Sequence, residues 1–379
     1  MVDIAELLLK SGIRKAVVID DAFDEAPRAD DLDVESWTVF FDDIAPHEQE
    51  IRKIYPPYPD TEREEIENSD EFVSVLWKNC NLLPSKIWNT LFEEYEHKNP
   101  GERQWLNGLV TSLKQLGIEC TTLGRDFTEG AGDADLVFID LFLGFGESEN
   151  SVKQAIEGVD KLVRGRESAP PLVILMSRST RLAEKRNEFR DRAGLLGSTF
   201  RVVSKLDLSK DGKLESMLVR LASHYEDAKH VAAFVHAWDS GLEQARKRFV
   251  RVLRRLDLSD LAQIRALLLD PEVESLGDYL LDVADRVLQH KIESDAGTIA
   301  AARELNKIDL GKYPAPHPAG LPDLQDLVNR MVFLHPDRLR LSDNEGKVQL
   351  QFGDVLRWKT KDGSVYSNNV SLVITLRAI

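Results

Sequence analysis

The chain is short of several things, and each shortage closes off a class of function. Only two cysteines, Cys80 and Cys120, occur among 379 residues. That is too few for a disulfide framework or a thiolate metal site, and it fits a reducing, cytoplasmic setting. No apolar run approaches the ~18–20 residues of a membrane span, so no membrane partner is expected. The N-terminal stretch MVDIAELLLKSGIRK has acids ahead of its short apolar patch and no small-residue cleavage site, so a secretory signal is not expected either. The eight histidines include no metal-spaced pair, and no Ser-His-Asp set with a sharp Gly-flanked elbow is present. GFGES (144–148) has neither the glycine spacing nor the lysine of a phosphate-binding loop. Basic residues are also in deficit. Lys and Arg number 49 against 65 Asp and Glu, a net charge of -16, which speaks against the whole molecule coating nucleic acid.

What the chain does hold is 42% hydrophobic and 30% charged residues, the balance of a soluble protein with real cores and room for two or three domains. Its most telling stretch is ADLVFIDLFLG, Ala134 to Gly144. The unbroken apolar run Leu136 to Ile139 reads as a strand buried on both faces, and it ends on one acid, Asp140. KAVVIDD, 15–21, repeats the pattern: a β-branched strand followed at once by Asp20 and Asp21. IECTTL (118–123), PLVILMS (171–177) and FRVVSK (200–205) add three further strands. The last two end on Ser177 and near Lys205. Helical patterns at 102–116, 151–163, 180–192 and 214–225 fall between or after them. The expected fold class is therefore α/β, with five strands in a doubly wound parallel sheet.

Between the first two strands, Ala22 to Pro100 breaks the alternation. This segment carries 20 acidic against 7 basic side chains, the proline cluster IYPPYPD, and Trp37, Trp77 and Trp88 on short helical patterns at 34–43, 70–79 and 85–97. Disordered segments are poor in aromatics, so a folded helical insertion is expected.

The polar residues at the strand ends point to one chemistry. Ligands collect outside the carboxyl ends of strands in open α/β sheets. The carboxylates of Asp20, Asp21 and Asp140 would repel one another there unless a divalent cation joined them, and a hard, oxygen-ligated ion such as Mg2+ suits the set. The Ser177 hydroxyl and the Lys205 ammonium are the groups that a phosphoryl group on Asp140 would need around its oxygens. The simplest reaction is nucleophilic attack by Asp140 on a phosphoryl donor, giving an aspartyl phosphate. Haloacid-dehalogenase-type phosphatases need a second acid two residues beyond the nucleophile, and Phe142 stands there.

This series of strand ends resembles the receiver domain of two-component response regulators, over residues 14–21 and 101–225. The resemblance implies a flavodoxin-like, receiver fold spanning 1–225 with the insertion at 22–100. It also implies Mg2+ on Asp20, Asp21, Asp140 and the backbone carbonyl of Phe142, phosphate on Asp140 next to Ser177 and Lys205, and a partner histidine kinase as donor. The sequence departs from the family in four places. Arg178 follows Ser177 where a small residue is usual, and it would either clamp the phosphate or block the site. Val202 replaces the switch aromatic three residues before the lysine. Leu206 replaces the proline after the lysine, and the Pro-Gly turn after the phosphoacceptor is missing. The long insertion resembles a divergent receiver branch associated with bacterial two-component-like defence systems.

Residues 226–312 read as a helical region that opens on a long helical pattern from Ala228 to Leu256. Within it ARKRFVRVLRRL has six basic residues from Arg246 to Arg255 and no acid, with Phe249, Val252, Leu253 and Leu256 as its apolar stripe. Helices are also expected at 258–269, 274–292 and 296–306. Residues 313–379 read as a proline-rich linker, a short helix at 323–334 and a small β region (347–352, 354–359 and 369–376, with KDGS at 361–364 as a turn). The expected function is that of an atypical response regulator, a signalling or phosphate-storage component with an unidentified downstream protein partner. Its enzymology would be self-phosphorylation and slow dephosphorylation at most. Two alternatives stay open: a degenerate receiver acting as a phosphorylation-independent scaffold, and a nucleic-acid-binding regulator using the basic helix 246–255.

Overall fold

The computed structural model describes residues 3–58, 60–144, 146–270, 275–313, 322–332, 355–356 and 372–373. In chain order the elements are α1 (Ile4–Lys10), β1 (Lys15–Ile19), α2 (Val34–Asp43), α3 (Glu48–Ile54), α4 (Arg63–Glu67), α5 (Asp70–Lys78), α6 (Ser85–Gln115), β2 (Glu119–Leu123) and β3 (Leu136–Asp140). There follow α7 (Glu149–Val163), β4 (Leu172–Ser177), α8 (Leu182–Arg192), β5 (Phe200–Ser204), α9 (Lys205–Leu208) and α10 (Lys213–Leu253). The remainder is α11 (Leu258–Ile264) with a π-helical turn at Arg265–Leu269, α12 (Leu276–Glu293), α13 (Ala296–Leu305), α14 (Pro322–Val332), β6 (Val355–Leu356) and β7 (Leu372–Val373). The chain divides into two compact units, Met1–Ala237 with Ala301–Leu305, and Trp238–Ala300 with Asn306–Ile379.

In the first unit, β1 to β5 pair in one all-parallel sheet of order β2-β1-β3-β4-β5. The apolar runs of β1, β3 and β4 are buried on both faces because the pleat deals alternate residues to two layers, whereas the edge strands β2 and β5 are partly exposed. Leu136 and Phe138 of β3, Ala16 and Val18 of β1, and Leu172 and Ile174 of β4 face one core, with Leu106 and Leu113 of α6 and Leu218 and Leu221 of α10. Val137 and Ile139, Val17 and Ile19, and Val173 and Leu175 face the other, with Val152, Ile156 and Val159 of α7 and Phe189 of α8. Each such side chain contributes about 1.5–3 kcal/mol when fully buried. Gly158 lets α7 lie close over Phe127, since a Cβ there would come within 2.2 Å of the ring. Cys120 is buried, and that burial pushes its thiol up to about 11, which leaves it inert.

The stretch between β1 and β2 is a packed helical body with a core of its own, including Trp37, Phe40, Ile51, Phe72, Leu76 and Phe92. Trp37 meets Phe40 edge-on at 5.8 Å between ring centroids. Local signals misplace one boundary here. The helices expected at 85–97 and 102–116 are a single helix, α6, running through Pro100. A proline interrupts one main-chain bond and usually ends a helix. Here both flanks are held by packing, Ile87, Leu91 and Phe92 in the helical body and Leu106, Leu109 and Leu113 on the sheet.

The helices expected at 214–225 and 228–256 are likewise one, α10, because no Gly or Pro separates Tyr225 from Ala228. Arg246, Lys247, Arg248 and Arg251 of the basic cluster lie on its second part and Arg254 and Arg255 just beyond its end, all six exposed. In the second unit β6 and β7 pair antiparallel, Val355 opposite Val373. The strand expected at 347–352, the KDGS turn and most of the linker lie outside the described residues. Among the described residues no helix is long and apolar enough to cross a membrane.

Candidate functional site

The sheet reverses its winding between β1 and β3, and in doubly wound sheets that reversal opens a crevice at the carboxyl edge. Asp20 follows β1 directly and Asp140 closes β3 beside it. Ser177 closes β4 and Lys205 opens α9 straight after β5. Each acid is fixed by its own backbone. Asp20 is extended and caps a 3-10 turn at Asp21–Phe23, its Oδ1 accepting from the Ala22 N–H at 3.1 Å. Asp140 Oδ1 accepts from the Phe142 N–H at 3.1 Å. Ser177 Oγ accepts from the Ser179 N–H at 3.2 Å, and the Ser204 hydroxyl caps α9 through the Leu206 N–H at 3.2 Å.

With one oxygen committed locally, each acid turns the other to the same ammonium. Lys205 Nζ donates to Asp20 Oδ2 at 2.7 Å, to Asp140 Oδ2, and to Glu102 Oε1 of α6 at 2.7 Å. An ammonium has three N–H donors, so Lys205 is fully engaged. Glu102 pairs its second oxygen with Arg178, whose guanidinium lies 2.7 Å from Oε2. Trp105, one turn along α6, lies with its ring 5.9 Å from Nζ and donates through Nε1 to Ser209 Oγ at 2.6 Å, and Ser209 in turn donates to the Lys205 carbonyl at 3.0 Å.

The cluster is largely buried and rich in carboxylates. Asp20, Asp140, Ser177 and Lys205 are buried, Glu102 is one-fifth exposed and Arg178 about half exposed. Burial, offset in part by Lys205 and reinforced by Asp140, pushes the Asp20 carboxyl up to about 7. Burial, followed by the charges of Asp20 and Asp140, pushes Asp21 up to about 8. Burial opposes the charge on Lys205, but Asp140, Asp20 and Glu102 together outweigh it and raise its pKa. Both shifts come first from burial, and the neighbouring carboxylates add to them.

Oxygens of Asp20, Glu102 and Asp140 lie within 4.8 Å of one another, and this buried trio can hold a metal ion. The donors are all hard carboxylate oxygens, which fit a hard divalent cation better than a soft one.

Among the residues expected at the site, the structure therefore joins Asp20, Asp140 and Lys205 directly. Asp21 stands next to them and feels their charge. Arg178 reaches the cluster only through Glu102. Ser177 ends the neighbouring strand and bonds within its own turn, and the ring of Phe142 lies 5.7 Å from the Arg181 guanidinium. Glu102 was not among the expected residues. Its signal was readable: it stands three residues before Trp105 and seven before Leu109, an acid on the apolar stripe of α6.

A second charged cluster adjoins the first. Arg125, beyond the end of β2, has a side chain only 2% exposed and binds three aspartates. Its Nε donates to Asp24 Oδ2 at 2.5 Å, one terminal nitrogen to Asp30 Oδ1 at 3.1 Å and Asp31 Oδ1 at 3.0 Å, and the other to Asp31 Oδ2. Gly124 permits the approach, because a Cβ there would come within 1.9 Å of Asp24 Oδ1.

Comparison of this chain with family models, curated proteins and solved structures finds no match.

Proposed function

We propose that this protein is an atypical response-regulator receiver that accepts a phosphoryl group on Asp140. The observation that carries the reading is the shared ammonium: Lys205 binds Asp140, Asp20 and Glu102 together at the carboxyl edge of a sheet of order β2-β1-β3-β4-β5. A carboxylate oxygen of Asp140 attacks phosphorus and a new O–P bond forms. The bond from phosphorus to the donor breaks, and the donor leaves with that electron pair. For a histidine kinase the donor atom is an imidazole nitrogen; for acetyl phosphate it is a carboxylate oxygen.

Asp20, Asp21, Asp140 and the Phe142 carbonyl, with Glu102 at hand, would hold Mg2+, which supplies positive charge to the phosphoryl oxygens. Lys205 neutralises charge on the oxygens of the group transferred, Ser177 can donate its hydroxyl, and Arg178 brings a second cation from the end of β4. On this reading the helical body between β1 and β2 is the insertion of a divergent, cytoplasmic receiver of bacterial type. Its output is a contact with a downstream protein, or storage of the phosphoryl group.

The full chain incubated with Mg2+ and acetyl phosphate is expected to gain the mass of one phosphoryl group, and Asp140→Asn is expected to gain none. No gain in the wild type would sink the proposal. One observation favours a second reading, a scaffold that works without phosphorylation: all three Lys205 N–H groups are already engaged and Arg178 is already paired with Glu102. That reading predicts no mass gain and no change in stability on adding Mg2+.

A further inference from the structure

Glu102 is the one carboxylate of the cluster that comes from a helix rather than a strand end, and its two oxygens hold two different cations, Lys205 at 2.7 Å and Arg178 at 2.7 Å. We propose that Glu102 is a positioning residue: it holds both cations in the resting chain and releases them to a phosphoryl group on Asp140, so that α6 reports the state of the site to the helical body between β1 and β2. This rests on the phosphoacceptor reading above.

The competition is one of charge. Asp140 is a single carboxylate that already shares Lys205. Phosphorylation turns it into a group bearing about -1.5 to -2 charges and three strong acceptor oxygens. Glu102 offers one negative charge to both cations. Lys205 has no spare N–H, so beyond the bond it already makes to Asp140, each further bond to a phosphoryl oxygen costs it a carboxylate. The bond to Glu102, whose carboxylate is one-fifth exposed and therefore most readily hydrated, is the cheapest to give up. Arg178 follows Ser177 at the end of β4, on a half-exposed side chain that can swing to the same oxygens.

The construction of α6 turns that loss into motion. Arg103, next to Glu102, donates to the carbonyls of Ala22 and, at 2.8 Å, Asp24. Residues 102 and 103 thus clasp both the cation cluster and the turn that carries Asp20 and Asp21. Pro100, two residues earlier, removes a helical N–H at the same level, which makes this the point where the helix bends most easily. Beyond it, Ile87, Leu91 and Phe92 belong to the core of the helical body, and α6 packs against α2. Release of Glu102 frees the helix on the site side of a built-in weak point while its other end stays embedded in that body.

The test is hydrogen exchange read by mass spectrometry on the full chain. Wild type, Glu102→Gln and Arg178→Ala are compared with Mg2+, with and without acetyl phosphate, always at the same phosphoryl occupancy as read from the intact mass. In the wild type, phosphorylation is expected to speed exchange of α6 amides around Pro100 and of α2 by about tenfold, the effect of losing one charge-assisted hydrogen bond. Glu102→Gln keeps the side chain's size and is expected to exchange fast already in the resting state, so that the phosphorylation-dependent difference disappears. Arg178→Ala, altered at an exposed position that does not threaten folding, is expected to lose part of the difference. Mass gain on Asp140 with unchanged exchange in 34–43 and 85–97 would overturn this proposal and leave the phosphoacceptor reading standing. A Glu102→Gln difference as large as the wild type's would do the same. No mass gain in the wild type would remove both.

Discussion

Two charge clusters sit at one edge of the same sheet, each centred on one buried cation bound to three carboxylates, yet their geometry differs. Arg125 offers a planar fork that matches the geometry of Asp24 and Asp31, and its charge cannot be titrated away. Burial works against it, but Asp31 and Asp24 hold its pKa above the ordinary value. Asp31 also accepts the Arg28 N–H at 2.7 Å, and Asp24 accepts the Arg125 N–H at 2.8 Å, so this cluster ties the segment 24–31 to the turn after β2. Lys205 is a point charge at the centre of carboxylates that come from two strand ends and a helix. Asp20 and Asp21 beside it are pushed far above their usual range, and the half-exposed Arg178 is held on one carboxylate alone. The comparison teaches that one charge inventory yields a lock when a planar fork matches its partners, and buried carboxyls pushed above their usual range when a point charge is shared among them.

Removing each cation should separate the two most sharply. Arg125→Met strands three aspartates and is expected to cost about 3–5 kcal/mol in denaturant unfolding, with no recovery on adding Mg2+. Lys205→Met is expected to cost about 3 kcal/mol without divalent ions and to recover most of that loss in Mg2+, because an ion can occupy the trio that the ammonium leaves. Equal behaviour of the two variants in Mg2+ would erase the distinction. Gly124→Ala comes next. Its new Cβ would collide with Asp24, so a loss of about 1–3 kcal/mol is expected, confined to the Arg125 cluster and leaving Mg2+ binding at the other intact.

How much of this was legible beforehand follows from where each residue sits. The convergence of Asp20, Asp140 and Lys205 could be read because buried strands end abruptly at one edge of the sheet, whereas Ser177, read the same way, bonds within its own turn. Glu102 was overlooked because acids on helices are common, and only its position on the apolar stripe with Trp105 and Leu109 sets it apart. The Arg125 cluster was invisible, since its partners lie 94 to 101 residues away and no local pattern announces such a contact. The break expected at Pro100 failed because two cores grip α6 on either side of it, and tertiary packing outweighs a local helix breaker.

The smallest expected effect is on the pH dependence of stability. Asp20 and Asp21 have folded-state values near 7 and 8, above those of an unfolded aspartate. The folded chain therefore holds more protons than the unfolded chain, and this contribution, complete below about pH 4, is lost as pH rises through about 7 to 8. Thermal unfolding without divalent ions should show a modest fall in midpoint from about pH 6 to about pH 8.5. Mg2+ should reduce that fall, because metal binding needs the deprotonated carboxylates and strengthens as they form. Asp21→Asn should flatten the curve, whereas Asp30→Asn in the Arg125 cluster should leave its Mg2+ dependence unchanged.

The central claim, that this edge of the sheet accepts a phosphoryl group on one particular carboxylate, is tested most directly by trapping the product. The full chain is treated with Mg2+ and acetyl phosphate and then reduced with borohydride, which converts an aspartyl phosphate to homoserine, and its peptides are sequenced by mass spectrometry. The account predicts homoserine at position 140 and at no other aspartate, with the signal lost when Mg2+ is withheld. Unmodified Asp140, or homoserine at Asp20 or Asp21 instead, would contradict it.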